Sequence, residues 1–357
     1  MNKTQIEVKI KSYLQMVAQQ GGSDLHLSVG RPPIIRIDGK LYPISGEKKL
    51  TAEETKDAAE VVLNEEQKVR LQKEKQIDFS FDLEGKARFR CNIYFQKGSL
   101  SAAFRMIPSK IRTLEELNMP SMIYEFTKPS QGFVLVTGPC GHGKSTTLAA
   151  LIDNINRTRQ DHIITVEDPI EYIFDPDMCI IDQREILQDA SNFPSALRAI
   201  FREDADVVMV GEMRDVETIS TAITAAETGH LIFATLHTND AAQTVDRIVD
   251  VFPAYQQNQI RMQLAQSLLG IVSQRLVNRI DGGRVPAVEI LINNNAVANL
   301  IREGKSHQIN LVIETSRDQG MISLNHALAD LVKEGIISLE EAESYSPDKE
   351  ELKILLR

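Results

Sequence analysis

Apolar residues at Ile6, Ile10, Tyr13, Leu14 and Val17 recur with a helical period, and Gly21-Gly22 stops the run. A short extended stretch, Leu25-His26-Leu27, follows. Pro32-Pro33 leads into Ile34-Ile35-Arg36-Ile37, and Asp38-Gly39 offers a hairpin turn before Lys40-Leu41-Tyr42. Thr51, with Glu54 three positions on, forms a capping-box pattern that opens a helix through Leu63. Asn64 can cap a second helix to Glu74. Ile77 to Leu83 and Arg88 to Phe95 alternate, with Glu84-Gly85 turning between them, and Ser101 to Met106 is a further strand. Residues 1–108 therefore predict a small α+β domain with an antiparallel sheet. Pro108, a helix-like Leu114–Leu117 and a helix over Ser121–Thr127 predict a linker at 109–130, and Pro129 marks the entry to a second domain over 131–357.

From Gly132 the pattern changes. Phe133-Val134-Leu135-Val136, Ile163-Ile164-Thr165-Val166, Val207-Val208-Met209-Val210 and Leu231 to Leu236 are short apolar runs, as expected for strands buried on both faces. Helical segments around Asn192–Phe201 and Val216–Thr228 lie between them. This alternation predicts an α/β domain round a largely parallel sheet. After Pro253 the chain is expected to be mainly helical, over Gln256–Leu269, Ala296–Glu303, Ser323–Glu334 and Leu339–Ser344, with one strand at Val288–Ile292.

A length of 357 residues suits about two domains, and 42% hydrophobic with 25% charged residues is globular composition. The net charge of -10 excludes a globally positive surface for nucleic acid. No apolar run approaches the ~20 residues of a membrane helix, and Met1 to Gln20 lacks a signal core, so a cytoplasmic protein without direct membrane insertion is expected. Cys91, Cys140 and Cys179 form no C-x-x-C pair, which removes a zinc ribbon; Cys91 and Cys179 are expected to be buried.

Gly138-Pro139-Cys140-Gly141-His142-Gly143-Lys144-Ser145 matches G-x-x-x-x-G-K-[ST], with a buried strand before it and a helix over Thr146–Ile155 after it. The glycines let backbone N–H groups converge on phosphate oxygens, and the helix start adds its positive end. Lys144 can reach β/γ phosphates, the Ser145 hydroxyl can join Mg²⁺, and Thr146 and Thr147 can assist at the helix start. Cys140 and His142 occupy variable loop positions. Such a loop needs an Mg²⁺ organiser and a group that positions water. Glu212, just past a hydrophobic strand, is the best carboxylate for both, and Glu167 and Asp168 sit at the carboxyl edge of another strand, where open α/β sheets bind ligands. By the same edge argument His237 follows its strand and can contact a γ-phosphate, whereas His230 precedes it and can orient a neighbouring loop or subunit.

These segments together resemble the ordered Walker A, Asp, Walker B and His boxes of the type II/IV secretion ATPase superfamily: Gly138–Ser145, Thr165–Glu171, Val210–Asp215, and Thr228–Thr238. Gly22-Ser23-Asp24-Leu25-His26, Phe104–Lys110 and Asp246–Pro253 resemble its twitching-motility, or pilus-retraction, branch. The resemblance implies an N-terminal PAS-like domain, a C-terminal RecA-like P-loop ATPase domain with a helical end, ATP bound between them, and a homohexameric ring. It implies ATP and Mg²⁺ as cofactors, and a catalytic set of Glu212, its helper Glu167, the His-box pair His230 and His237, and N-terminal arginines. Arg105 is the first choice among these, then Arg90, then Arg88. Its implied partner is the inner-membrane pilus platform protein, through which the motor meets the membrane, with no nucleic acid. The family's Ala-Ile-Arg-Asn-Leu-Ile-Arg-Glu stretch appears here as Ala296–Glu303 with Ala298 in place of the first arginine. That departure leaves open an accessory motor dependent on a second retraction ATPase, and a nucleotide-gated scaffold without its own turnover is the further alternative.

Overall fold

The structure, a computed structural model, describes residues 3–37, 39–83, 87–107 and 110–357. The turn residues Asp38 and Glu84-Gly85 and the expected domain edge at Pro108 lie outside the described residues. The chain divides into two compact units, Met1–Lys110 with Pro169–Ile173, and Ile111–Asp168 with Phe174–Arg357.

The first unit runs α1 (Lys3–Gln19), β1 (Asp24–Leu27), β2 (Ile34–Ile37), β3 (Lys40–Pro43), α2 (Ala52–Val62), α3 (Glu65–Glu74), β4 (Gln76–Asp82), β5 (Arg88–Gln96) and β6 (Ser99–Ile107). The expected Thr51 capping box is complete, and the expected Asn64 cap turns out to be a second full box. Thr51 Oγ1 accepts from Glu54 N while Glu54 accepts from Thr51 N, and Asn64 and Gln67 do the same at α3. Each cap contributes about 1 kcal/mol. The strands form one antiparallel six-stranded sheet in the order β3-β2-β1-β6-β5-β4. Register sorts its two faces, because side chains alternate along each strand. Ile35, Leu25, Phe104, Cys91 and Phe79 lie opposite one another and are buried in a core shared with Ile10, Leu14 and Ala59 of the helices. One residue along, Arg36, Asp24, Arg105 and Arg90 form a cross-strand row on the other face.

In the second unit a short one-turn segment at 114–118 and a 3₁₀ helix (Ser121–Thr127) precede β7 (Gly132–Thr137), α4 (Lys144–Thr158), β8 (His162–Glu167), β9 (Ile180–Glu185), α5 (Phe193–Ile200), β10 (Val207–Val210), α6 (Val216–Glu227) and β11 (Leu231–Leu236). Then come α7 (Ala241–Asp250), α8 (Ala254–Ser267), β12 (Leu268–Asn278), β13 (Arg284–Ile292), α9 (Asn295–Arg302), α10 (Ile309–Thr315), α11 (Leu324–Lys333), α12 (Leu339–Tyr345) and α13 (Lys349–Leu355). The seven-stranded sheet has the order β13-β12-β7-β11-β10-β8-β9 and is parallel except for the β12–β13 hairpin. Every residue of β7, β10 and β11 is buried, the expected signature of central strands covered on both faces. The fold is thus the α/β class that the sequence predicts.

One expectation is corrected. The chain after Pro253 is mainly helical, but it holds two strands where one short strand was expected: β12 and β13 extend the sheet by twenty residues between α8 and α9 (11 and 9). The helical spacing of Gln256–Leu269 carries the eye past Ser267, where α8 ends; Asp281-Gly282-Gly283 between two apolar runs is the hairpin signal that marks the change. The strand β9 and the helices α10 and α13 also lie beyond the expected set. Ala298 is buried in the main core with Val297 and Ile301, so this position serves packing in the described structure.

Gly270 sits where β12 shifts register against β7, and a methyl there would fall on the Phe126 ring and 2.6 Å from Leu291 O. Neither the ring nor a sheet carbonyl can yield cheaply, so Gly270→Ala is expected to cost about 1–3 kcal/mol. A thermal melt should fall by roughly 2–10 °C. An unchanged midpoint would show that the ring moves freely.

Candidate active site

β7 delivers the chain into a loop whose shape needs glycine. Gly138, Gly141 and Gly143 have φ of 142°, 80° and 84°. A Cβ on Gly138 would lie 2.5 Å from Gln274 O, so the backbone runs against β12 with no room for a side chain. α4 begins at Lys144 with no side-chain cap, whereas Asn192, Asp215, Asp240 and Asn294 cap the starts of α5, α6, α7 and α9. Fifteen aligned peptides therefore present their positive end at this loop. Lys144 is only 8% exposed. Its ammonium donates to Gly138 O at 2.8 Å and Pro139 O at 3.0 Å and lies 3.3 Å from His237 Nδ1. Ser145 and Thr146 share the first turn of α4 with Thr147, while Cys140 is exposed at the loop tip.

Because β7, β11, β10 and β8 are parallel neighbours, their C-terminal ends share one edge. The phosphate-loop motif, His237, Glu212 and Glu167 all follow or end those strands and meet there. His237 links two of them. Lysine has only hydrogens to offer, so Nδ1 accepts, and the ring proton of the neutral tautomer lies on Nε2, 3.6 Å from Glu212 Oε2. Glu212 also pairs with Arg214 Nε at 2.6 Å. Gly211 fits closely between strands, its N–H donating to Val166 O at 2.8 Å and a Cβ there lying 3.3 Å from Glu167 Cα. Glu167 is buried and accepts from Thr165 Oγ1 at 2.7 Å and Gln183 Nε2 at 3.3 Å.

His230 lies at the other edge, the six residues of β11 away from His237, or about 20 Å along the strand. Its Nδ1 contacts Ala225 O at 3.1 Å, its carbonyl accepts from Gly132 N, and its ring meets Phe201 edge-on. Arg105 and Arg90 belong to the first unit's cross-strand row. Arg105 Nε donates to Asp24 Oδ1 at 2.9 Å, Arg36 Nε lies 3.4 Å from Asp24 Oδ2, and Arg90 pairs with Glu171 at 3.5 Å. Burial pushes the Asp24 carboxyl up, but hydrogen bonds from Ser23 and Arg105 hold it below the usual carboxylate value. Arg88 donates to Ser80 Oγ.

The β12–β13 hairpin adds groups that sequence reading missed. Gln274 contacts Thr147 and His142. Arg275 donates to Asn239 O and Oδ1, each at 3.0 Å, and Arg284 to Gly141 O at 3.4 Å. Glu289 accepts from Ala241 N, at the start of α7, at 2.8 Å. Only the recognition of β12 as a strand beside β7 brings these residues to the loop.

The loop, lysine and edge carboxylates fit a bound nucleoside polyphosphate: an uncapped helix start, a glycine cradle and a buried cation face one place. Hydroxyl and carboxylate oxygens of Ser145 and Glu212 are the hard donors Mg²⁺ takes. Among the described residues no helix is long and apolar enough to cross a membrane.

A family model described as type II/IV secretion system protein matches residues 2–282. The chain is 47% identical over 336 residues to a Pseudomonas aeruginosa protein named type IV pilus retractation ATPase PilT, covering 93% of this chain and 96% of that one. It is 36% identical over 351 residues to the type IV pilus ATPase PilU of the same species, covering 98% and 92%. Among solved structures, that of the pilus retraction motor PilT with bound ADP superposes with a TM-score of 0.90 at 46% identity, over 97% of this chain and 99% of that one. The chain belongs to the type II/IV secretion system protein family.

Burial raises the Glu289 carboxyl from 4.5 to about 7, against the hydrogen bond from Ala241 that lowers it; Asp240 adds to the rise and Arg275 opposes it. Native Glu289 thus keeps its proton to higher pH than the unfolded chain does. Its contribution is complete below pH 4.5 and is lost as pH rises through about 7, by on the order of 3 kcal/mol. Glu289→Gln keeps an oxygen for Ala241 and cannot ionise. Its thermal midpoint relative to the parent should therefore rise between pH 5 and pH 8. A pH-independent difference would contradict the assignment.

Proposed function

We propose that this chain is a Mg²⁺-dependent ATP-hydrolysing motor that drives retraction of type IV pili. The observation that carries this is the single edge where Lys144, His237 and Glu212 stand in contact beside the glycine loop. Nearly full-length likeness to a named retraction ATPase supports the same reading, and the higher identity to it, 47% against 36%, favours a primary over an accessory motor.

In this reading the backbone from Gly138 to Gly143 cradles phosphate oxygens and Lys144 neutralises the β/γ charge. Ser145 and Glu212 would hold Mg²⁺, which supplies charge neutralisation between the phosphates. Glu212 orients the attacking water and takes its proton, and Glu167, locked by Thr165 and Gln183, supports the acidic edge. His237, placed between ammonium and carboxylate, relays the loss of the terminal phosphate to the segment that opens α7. Arg105 and Arg90, the guanidinium groups that the resemblance implies, are held by Asp24 and Glu171 within the first unit. His230 steadies a neighbouring loop or subunit. The working particle is a homohexamer at the cytoplasmic face of the inner membrane, acting on the pilus platform protein.

Glu212→Gln should bind nucleotide like the parent and hydrolyse ATP about 10²–10⁴-fold more slowly. Lys144→Ala should lose nucleotide binding. Light scattering on the parent should give about six times 40.0 kDa. A Glu212→Gln protein turning over at the parent rate would remove Glu212 from this role, and a parent without ATP turnover would overturn the motor.

A further inference from the structure

β12 outruns its neighbour. Its pairing with β7 ends at Ser273–Thr137, yet the strand continues to Asn278. The edge left beyond that point is taken up by the loop that follows β7. Leu276 N donates to His142 Nδ1 at 2.9 Å, so an imidazole stands where a strand carbonyl would otherwise accept. Burial, and the charges of Arg275, Arg284 and Lys144, hold His142 below the usual histidine value, which keeps that nitrogen free to accept.

Gln274 does more than fill this edge. The residue is 1% exposed and its amide is used at both ends. Oε1 accepts from Thr147 Oγ1 at 2.9 Å, and Nε2 donates to His142 O at 2.5 Å. The orientation is forced, because the His142 carbonyl can only accept. A Cβ on Gly143 would lie 3.1 Å from Nε2, so the amide occupies the space that glycine leaves. One planar group therefore ties the residue before Gly143 to the first turn of α4, across the point where the loop becomes helix.

We infer that Gln274 is a positioning residue for the phosphate loop: its buried amide holds the glycine cradle in its anion-binding shape. This rests on the loop being the nucleotide site. A loop with that bond cut keeps every group that faces phosphate but must be ordered on binding, and the ordering cost weakens affinity. Gln274→Glu places a carboxylate against the His142 carbonyl and removes the donor. Gln274→Met keeps length and burial while removing both bonds, so it serves where the charged variant fails to fold.

The test measures Mg-ADP affinity by calorimetry and the thermal midpoint without nucleotide for the parent, the two Gln274 variants and Ile301→Ala. Ile301 is buried in the main core on α9, which packs against α8 and α10, and its truncation destabilises without touching the loop. The expected result is a tenfold or greater loss of ADP affinity in both Gln274 variants, with Ile301→Ala binding as the parent does at equal or greater loss of midpoint. Parent-like affinity in the Gln274 variants overturns the inference and leaves the function standing. So does an affinity loss in Ile301→Ala that matches theirs for the same fall in midpoint. A parent that does not bind ADP overturns the functional reading itself.

Discussion

A buried ammonium sets the terms for the second unit. Lys144 is almost wholly enclosed, and a charge in that position is tolerated only when its hydrogens are placed. Two loop carbonyls and the His237 ring take them. The carbonyls can point inward only because Gly138 turns through a φ closed to other residues and because β12 stands directly behind it. The histidine is in reach only because β11 runs parallel to β7 and ends level with it. Sheet order, loop shape and the acidic edge all converge on one side chain.

This arrangement couples neighbouring strand ends. His237 touches Lys144 through one nitrogen and faces Glu212 with the other, so a change of charge at the lysine is felt at the carboxylate. The segment after His237 runs into α7, whose first N–H is held by Glu289 of β13 and whose preceding turn is held by Arg275 of β12. The hairpin therefore grips both the phosphate loop and the His237 turn. Leu324, Leu328 and Ala342 of the C-terminal helices pack against Val277 and Val285 of the same hairpin. A load on those helices has a short physical route to the site.

Much of this was legible in the amino-acid order. The Thr51 capping box and the Asn64 cap, the fully apolar runs of β7, β10 and β11, and the position of Glu212 and His237 after their strands all follow from local pattern and the edge rule. The edge rule also separates His237 from His230, which the structure places at opposite ends of β11. What was not legible depends on long-range pairing. β12 begins without a break after α8, and its polar Ser273-Gln274-Arg275 interrupts the apolar signal because those side chains face the loop and the α7 turn instead of a core. The alignment of Arg36, Asp24, Arg105 and Arg90 likewise exists only once four strands are in register.

The most direct test is a crystal structure of the protein with Mg²⁺ and a non-hydrolysable ATP analogue. The account predicts the β- and γ-phosphates inside the Gly138–Ser145 loop, with Lys144 turned from the loop carbonyls to the phosphates, Mg²⁺ on Ser145, and His237 and Glu212 facing the γ-phosphate. Nucleotide bound elsewhere, or phosphates in the loop with Glu212 and His237 turned away from them, would contradict it.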